Sequence, residues 1–107
     1  MITIGEGIPS HACLYANAHA LARYSALCQE ASIVPIVEPE VLLDGDHTIE
    51  HCYEATEATL AALFAALRAY NVSLEHVVLE GDRWWSPARI APSRPAWIAS
   101  PRTPCVA

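Results

Sequence analysis

The sequence predicts an α/β chain built on a parallel sheet. Three observations carry this. Ile33-Val34-Pro35-Ile36-Val37 and Val77-Val78-Leu79 are short, continuous apolar runs rich in β-branched residues, as buried parallel strands are. A long amphipathic helical pattern lies between them, which is the connection a parallel pair needs. A second helical pattern precedes the first run, so the order is helix, strand, helix, strand, the order of βα units.

Met1 to Gly7 reads as a strand end or a loop. Ser10 can cap a helix whose apolar stripe is Leu14, Ala18, Leu21, Tyr24 and Cys28. The run from Ile33 to Val37 suits a strand buried on both faces, although Pro35 removes one ladder donor and counts against a central position. Asp44-Gly45-Asp46-His47 is turn chemistry. A helix follows from about Thr48 to Tyr70, with Ile49, Cys52, Tyr53, Thr56, Leu60, Leu63, Phe64 and Leu67 on one face. Glu50, Glu54 and Glu57 enrich its first turns and Arg68 its last, which suits the helix dipole.

Composition narrows the function classes. The 107 residues fit one small domain or a piece of a larger one. At 53% apolar and 17% charged, the chain is too apolar for intrinsic disorder. No apolar stretch reaches ~18 residues, so no membrane-spanning helix is expected. The N-terminus lacks the basic, then apolar, then small-residue order of a secretory leader. A net charge of −6 argues against nucleic acid as a partner. All six basic residues are arginine, so chemistry that needs a lysine amine has no residue here to perform it.

The chain divides near residue 80. Residues 1–79 hold ten acids against Arg23 and Arg68, a net −8. Residues 80–107 hold Glu80 and Asp82 against four arginines, a net +2, together with Trp84, Trp85 and Trp97 and five of the eight prolines. The second part has no helix or strand period and reads as an irregular tail. Cysteines stand at 13, 28, 52 and 105 with no CxxC pair, so the expectation is reduced thiols and a cytoplasmic setting.

The chemistry concentrates after the first strand. Val37-Glu38-Pro39-Glu40 places two carboxylates past a buried run, and strand alternation sets Glu38 and Glu40 on one side with Pro39 stiffening the link. Two carboxylates in a sheltered mouth repel, which raises one pKa and suits that group to proton transfer. The same residues also read as ordinary loop acids that are solvated or cap the next helix.

The segments Ala16-Asn17-Ala18 through Tyr24, IVPIVEPE at 33–40 and DGDH at 44–47 resemble class I fructose-bisphosphate aldolase. The resemblance runs from about Ile4 to Leu79 and takes in Cys52, Ala61 to Leu63, and Val72 to Leu79. It implies part of a (β/α)8 barrel, about two βα units, over residues 1–79. It implies reversible, metal-free cleavage of fructose 1,6-bisphosphate to two triose phosphates through a lysine Schiff base. Glu38 would then be the general acid/base and Glu40 an orienting neighbour. The implied partner is a sugar phosphate, with no cofactor, in a family that is commonly homo-oligomeric.

The match fails at the nucleophile. The family's lysine follows a leucine in a motif like LLKPNMV, whereas Leu79 here is followed by Glu80-Gly81-Asp82-Arg83-Trp84-Trp85. The resemblance also implies that the family's other active-site lysines, on the strand before this segment, lie outside it, and against a barrel of ~250 residues only about two of eight strands are represented. Joining the last base of each codon to the first two of the next lets Asp82 through Ser86 read Pro/Ser-Met-Val-Val, similar to the family's stretch just after the lysine. The tail, 80–107, is therefore expected to be frame-shifted or disordered, and the isolated chain inactive.

Two other classes compete. Asp44, Asp46, His47, Glu50 and His51 bunch together and offer metal-ligand types, though not at a standard spacing, and they also read as a turn and a helix cap. A truncated, non-catalytic fragment or interaction module would expose sheet edges and an apolar face. His11, His19 and His76 stand apart as surface or satisfied histidines.

Overall fold

The computed structural model describes residues 1–42 and 45–80. The expectations for residues 81–107, the tail and its shifted frame, lie outside the described residues. Helix α1 spans His11–Glu30, strand β1 Ile36–Val37, helix α2 Ile49–Ala69, and strand β2 Val78–Leu79, the last preceded by a 3-10 turn at Leu74–His76.

β1 and β2 pair in parallel, with Ile36 opposite Val78 and Val37 opposite Leu79. A further parallel bridge joins Ile2 to Val41, so the N-terminal segment is a strand end on the other side of β1. Three successive parallel segments thus lie in chain order. α1 connects the first to the second and α2 the second to the third. This is the expected α/β arrangement, built from repeated βα crossovers.

The helix boundaries follow local chemistry. Ser10 caps α1, its hydroxyl accepting the Cys13 amide at 3.2 Å. Thr48 caps α2, its hydroxyl accepting the His51 amide at 3.4 Å. Each cap satisfies one of the backbone donors that a helix start leaves free. Glu50 in the first turn of α2 and Arg68 in the last complement its dipole.

The buried faces agree with the expected stripes at Ala18, Cys52, Leu63 and Leu67 and differ from them elsewhere. In α1 the buried residues are Ala18, Ala22 and Ser25, while Tyr24 is exposed and Leu14, Leu21 and Cys28 are half-buried. In α2 they are Cys52, Ala55, Thr59, Leu63, Ala66 and Leu67, while Ile49 and Tyr53 are exposed. Small side chains at Ala18, Ala22 and Ala66 let the two helices and the sheet approach closely, and Leu63 and Leu67 fill the remaining space between them. Ser25 and Thr59 cost little there, because each hydroxyl donates to a carbonyl one turn back, at 2.9 and 2.6 Å.

The core has two parts. Ile2, Ile4, Val41, Cys52 and Ala55 gather near the start of α2, with Cys13 and Leu14 against them. Ala18, Ala22, Val37, Leu63, Ala66, Leu67 and Val72 fill the space between both helices and β1.

One expectation is corrected here. The run at 33–37 is not buried on both faces: Pro35, Val37, Pro39 and Val41 are buried, while Ile36, Glu38 and Glu40 are exposed. Period 2 sends one set toward the helices and leaves the other on a face that nothing among the described residues covers. Cys13 and Cys28 are free thiols, in line with the expectation.

Candidate active site

The open face of the sheet carries the candidate site. Glu38 and Glu40 both lie on it, with Pro39 turned to the buried side between them. The Glu40 amide donates to the Glu38 carbonyl at 2.9 Å, closing a three-residue turn over Pro39. The proline ring fixes φ close to what such a turn requires, so the link between the two glutamates is stiff. The next bonds tie the same stretch to the first strand: Ile2 donates to the Glu40 carbonyl at 2.8 Å, and Leu42 to the Ile2 carbonyl at 2.7 Å. Both carboxylates are exposed, so the expected sheltered mouth is not formed by these residues alone.

On the other side of β1, the Glu80 amide donates to the Val37 carbonyl at 3.0 Å. Continuing the register of Ile36 with Val78 and Val37 with Leu79 sets Glu80 beside Glu38. Ile36, Glu38, Val78 and Glu80 are all exposed on this face. Glu80 was singled out in the sequence only as a missing lysine. Its position next to Glu38 depends on strand register, which composition does not reveal.

A cavity of about 110 Å³ reaches from the strand end toward the helices, bounded by Asn17, Leu21, Glu38, Glu40, Thr59 and Leu63 among others. Asn17 is a polar lining residue that the sequence marks only as part of the segment resembling the family. Its amide nitrogen donates to the Cys13 carbonyl at 2.9 Å, which holds the side chain along α1.

Among the described residues the DGDH turn does not gather ligands. His47 is buried, whereas Asp46, Glu50 and His51 are exposed, and Asp44 lies outside the described residues. Among the described residues no group of three His, Cys, Asp or Glu side chains is placed to hold a metal ion. Thr48 serves instead as the helix cap. His47 is unusual in that neither ring nitrogen has a hydrogen-bond partner. Of the remaining histidines, His11 is exposed. His19 stacks on Tyr15 with ring centroids 4.1 Å apart and meets the Tyr70 hydroxyl at 3.4 Å. His76 lies 3.1 Å from the Ser73 hydroxyl. No helix among the described residues is long and apolar enough to cross a membrane.

Comparison with known proteins gives this arrangement a family. The sequence model described as fructose-bisphosphate aldolase class-I matches residues 1–85. The chain belongs to the class I fructose-bisphosphate aldolase family. A probable fructose-bisphosphate aldolase class 1 of Xanthomonas campestris pv. campestris is 65% identical over 82 residues, covering 77% of this chain and 25% of that protein. Human fructose-bisphosphate aldolase B is 48% identical over 80 residues, covering 75% of this chain and 22% of that protein. A solved fructose-bisphosphate aldolase from Plasmodium falciparum superposes with a TM-score of 0.70 at 40% identity, over 73% of this chain and 23% of that one. The α/β fold is thus similar to that of aldolase, and the family is one of enzymes, lyases of glycolysis. The chain spans about a quarter of the length of the curated relatives it matches.

Proposed function

We propose that residues 1–79 form two βα units of an aldolase (β/α)8 barrel and carry its proton-transfer carboxylate, Glu38. The reaction is the reversible cleavage of fructose 1,6-bisphosphate to dihydroxyacetone phosphate and glyceraldehyde 3-phosphate. The supporting observation is that Glu38 and Glu40 share the open face at the end of β1. In a βα barrel, that end of the strand lines the catalytic mouth. Glu38 moves protons during Schiff-base formation and carbon–carbon cleavage, and Glu40, two residues on and tied by the turn over Pro39, orients it. No metal or organic cofactor enters this reading. A homo-oligomeric whole protein and a cytoplasmic location accompany it.

The 107-residue chain itself contains no lysine, and Glu80 stands where the family's lysine follows a leucine. The isolated chain is therefore expected to show no turnover, and borohydride should trap no dihydroxyacetone phosphate on its side chains. Turnover or a trapped adduct would overturn the argument. The role of Glu38 is tested by grafting residues 1–79 into the Xanthomonas campestris relative in place of its matching segment. An active chimera whose kcat falls roughly 10²- to 10⁴-fold on Glu38→Gln supports the assignment. A chimera that keeps its rate after Glu38→Gln removes it.

A second reading has its own observation. Ile33, Val34, Ile36 and Val78 are each about half exposed or more. A non-catalytic fragment that needs another surface to cover this face accounts for that exposure equally well.

A further inference from the structure

One side chain joins the two ends of the β1–β2 unit. Gln29, in the last turn of α1, is half-buried, and its amide faces the turn that leads into β2. The Ser73 amide donates to Gln29 Oε1 at 2.9 Å, and Gln29 Nε2 donates to the Ser73 carbonyl at 2.9 Å and to the His76 carbonyl at 3.2 Å. A side-chain amide here pairs with backbone much as a neighbouring strand would. The backbone carbonyl of the same residue accepts the Ser32 amide at 2.9 Å, in the turn that leads into β1. Both strands are therefore fixed from a single anchor.

We infer that Gln29 is a positioning residue that sets the register of β2 on β1 and so decides which side chain stands beside Glu38. The named β1 and β2 strands are only two residues each, so their own ladder specifies register weakly. Parallel pairing is held by few bonds here, among them Val78 to the Pro35 carbonyl and Glu80 to the Val37 carbonyl, each 3.0 Å. A slip of one residue turns every side chain of a strand to the opposite face. Glu80 would then leave the face of Glu38 and point toward the helices. Three hydrogen bonds from Gln29 across the chain oppose that slip at the point where β2 begins. The link to a catalytic strand end rests on the function proposed above. The clasp itself does not, and the experiment reads the clasp alone.

The test is amide hydrogen exchange by NMR on the full 107-residue chain. Gln29→Met keeps the length of the side chain and removes its hydrogen bonds. The Val78 and Glu80 amides should then exchange about tenfold faster, while Leu63 and Leu67 in α2 keep their protection. Cross-strand contacts between Ile36 and Val78 should weaken in the same variant. Gln29→Glu adds a readout that simple loss of packing does not move. Ionised, it can accept from Ser73 but offers no donor to the two carbonyls. Protonated, it offers one. Measured against Gln29→Met at each pH, which cancels the titration of Glu75 and His76, protection of Val78 and Glu80 should return as pH falls through about 4. The inference is overturned if Val78 and Glu80 keep their rates in Gln29→Met, if Leu63 and Leu67 speed up equally, or if Gln29→Glu shows no return. If Gln29→Met does not fold, Gln29→Glu compared with the unmodified chain at matched pH decides by the same criterion.

Discussion

Glu80 lies beside Glu38 on the open face of the sheet, a placement fixed by the 3.0 Å bond from the Glu80 amide to the Val37 carbonyl. Two carboxylates on adjacent parallel strands, side chains on the same face, sit one strand spacing apart, ~4.8 Å between backbones. Like charges in that relation repel.

Replacing one charge should therefore be measurable. Glu80→Lys converts a repulsive neighbour into an attractive one. Cross-strand pairs of this kind change stability by about 0.2–1 kcal/mol, so Tm should rise at low salt, with Glu80→Gln between the two. At about 1 M salt the difference should largely vanish, because the screening length falls to ~3 Å. A low-salt Tm that ignores all three residues would mean the two side chains are not neighbours.

The contact between the helices and β1 should be the least tolerant part of the chain. Leu67 is 1% exposed and Ala22 is fully buried, and both belong to the same apolar cluster as Val37. Leu67→Ala removes buried methyl groups and should cost about 2–5 kcal/mol. Ala22→Leu forces extra volume where the helices approach and should cost about 1–3 kcal/mol. Urea denaturation followed by helical circular dichroism reads both. Tyr53→Ala, at a site 69% exposed on α2, should by comparison change little.

Sequence periodicity located the elements more accurately than it located their buried faces. Capping chemistry placed Ser10 and Thr48 at the helix starts, and the helix expected from Thr48 to Tyr70 has those two residues as its caps. Period 2 alone put Glu38 and Glu40 on one side. Ala18, Cys52, Leu63 and Leu67 of the expected stripes are buried, but the contact also uses Ala22 and Ala66, which a stripe drawn through large apolar residues passes over. Tyr53 and Tyr24 sit outside the core despite their apolar rings. The position of Glu80 beside Glu38 and the clasp at Gln29 arise from residues far apart in sequence, and no local pattern encodes them.

Glu75 should titrate low. The Ser73 hydroxyl donates to its carboxylate at 2.7 Å, and that bond, followed by a backbone hydrogen bond and the nearby His76, holds its pKa below the ordinary carboxylate value. A depressed folded value means the contact stabilises the fold above the ordinary carboxylate range. That stabilisation is lost as pH falls through the lowered value. The side chain is exposed, so the effect on overall stability should be small. Carboxyl chemical shifts followed against pH should show the low midpoint, and Ser73→Ala should bring it back up. A midpoint that Ser73→Ala leaves in place would assign the shift to another neighbour.

Gly45 and His47 should behave as a coupled pair. Gly45 has φ +144°, and a Cβ built there would lie 2.8 Å from the Nδ1 atom of His47. The histidine ring is buried. Gly45→Ala thus meets both backbone strain and a clash, for a cost of about 1–3 kcal/mol. His47→Leu removes a ring whose nitrogens have no partner, so it forfeits no hydrogen bond and should be neutral or mildly stabilising. Gly45→Ala combined with His47→Ala relieves the clash but not the strain. The double mutant should therefore cost less than the two single changes together, with a coupling of about 0.5–3 kcal/mol. Strict additivity in a thermal or urea series would show that the glycine is required by its backbone conformation alone and that the ring does not press on it.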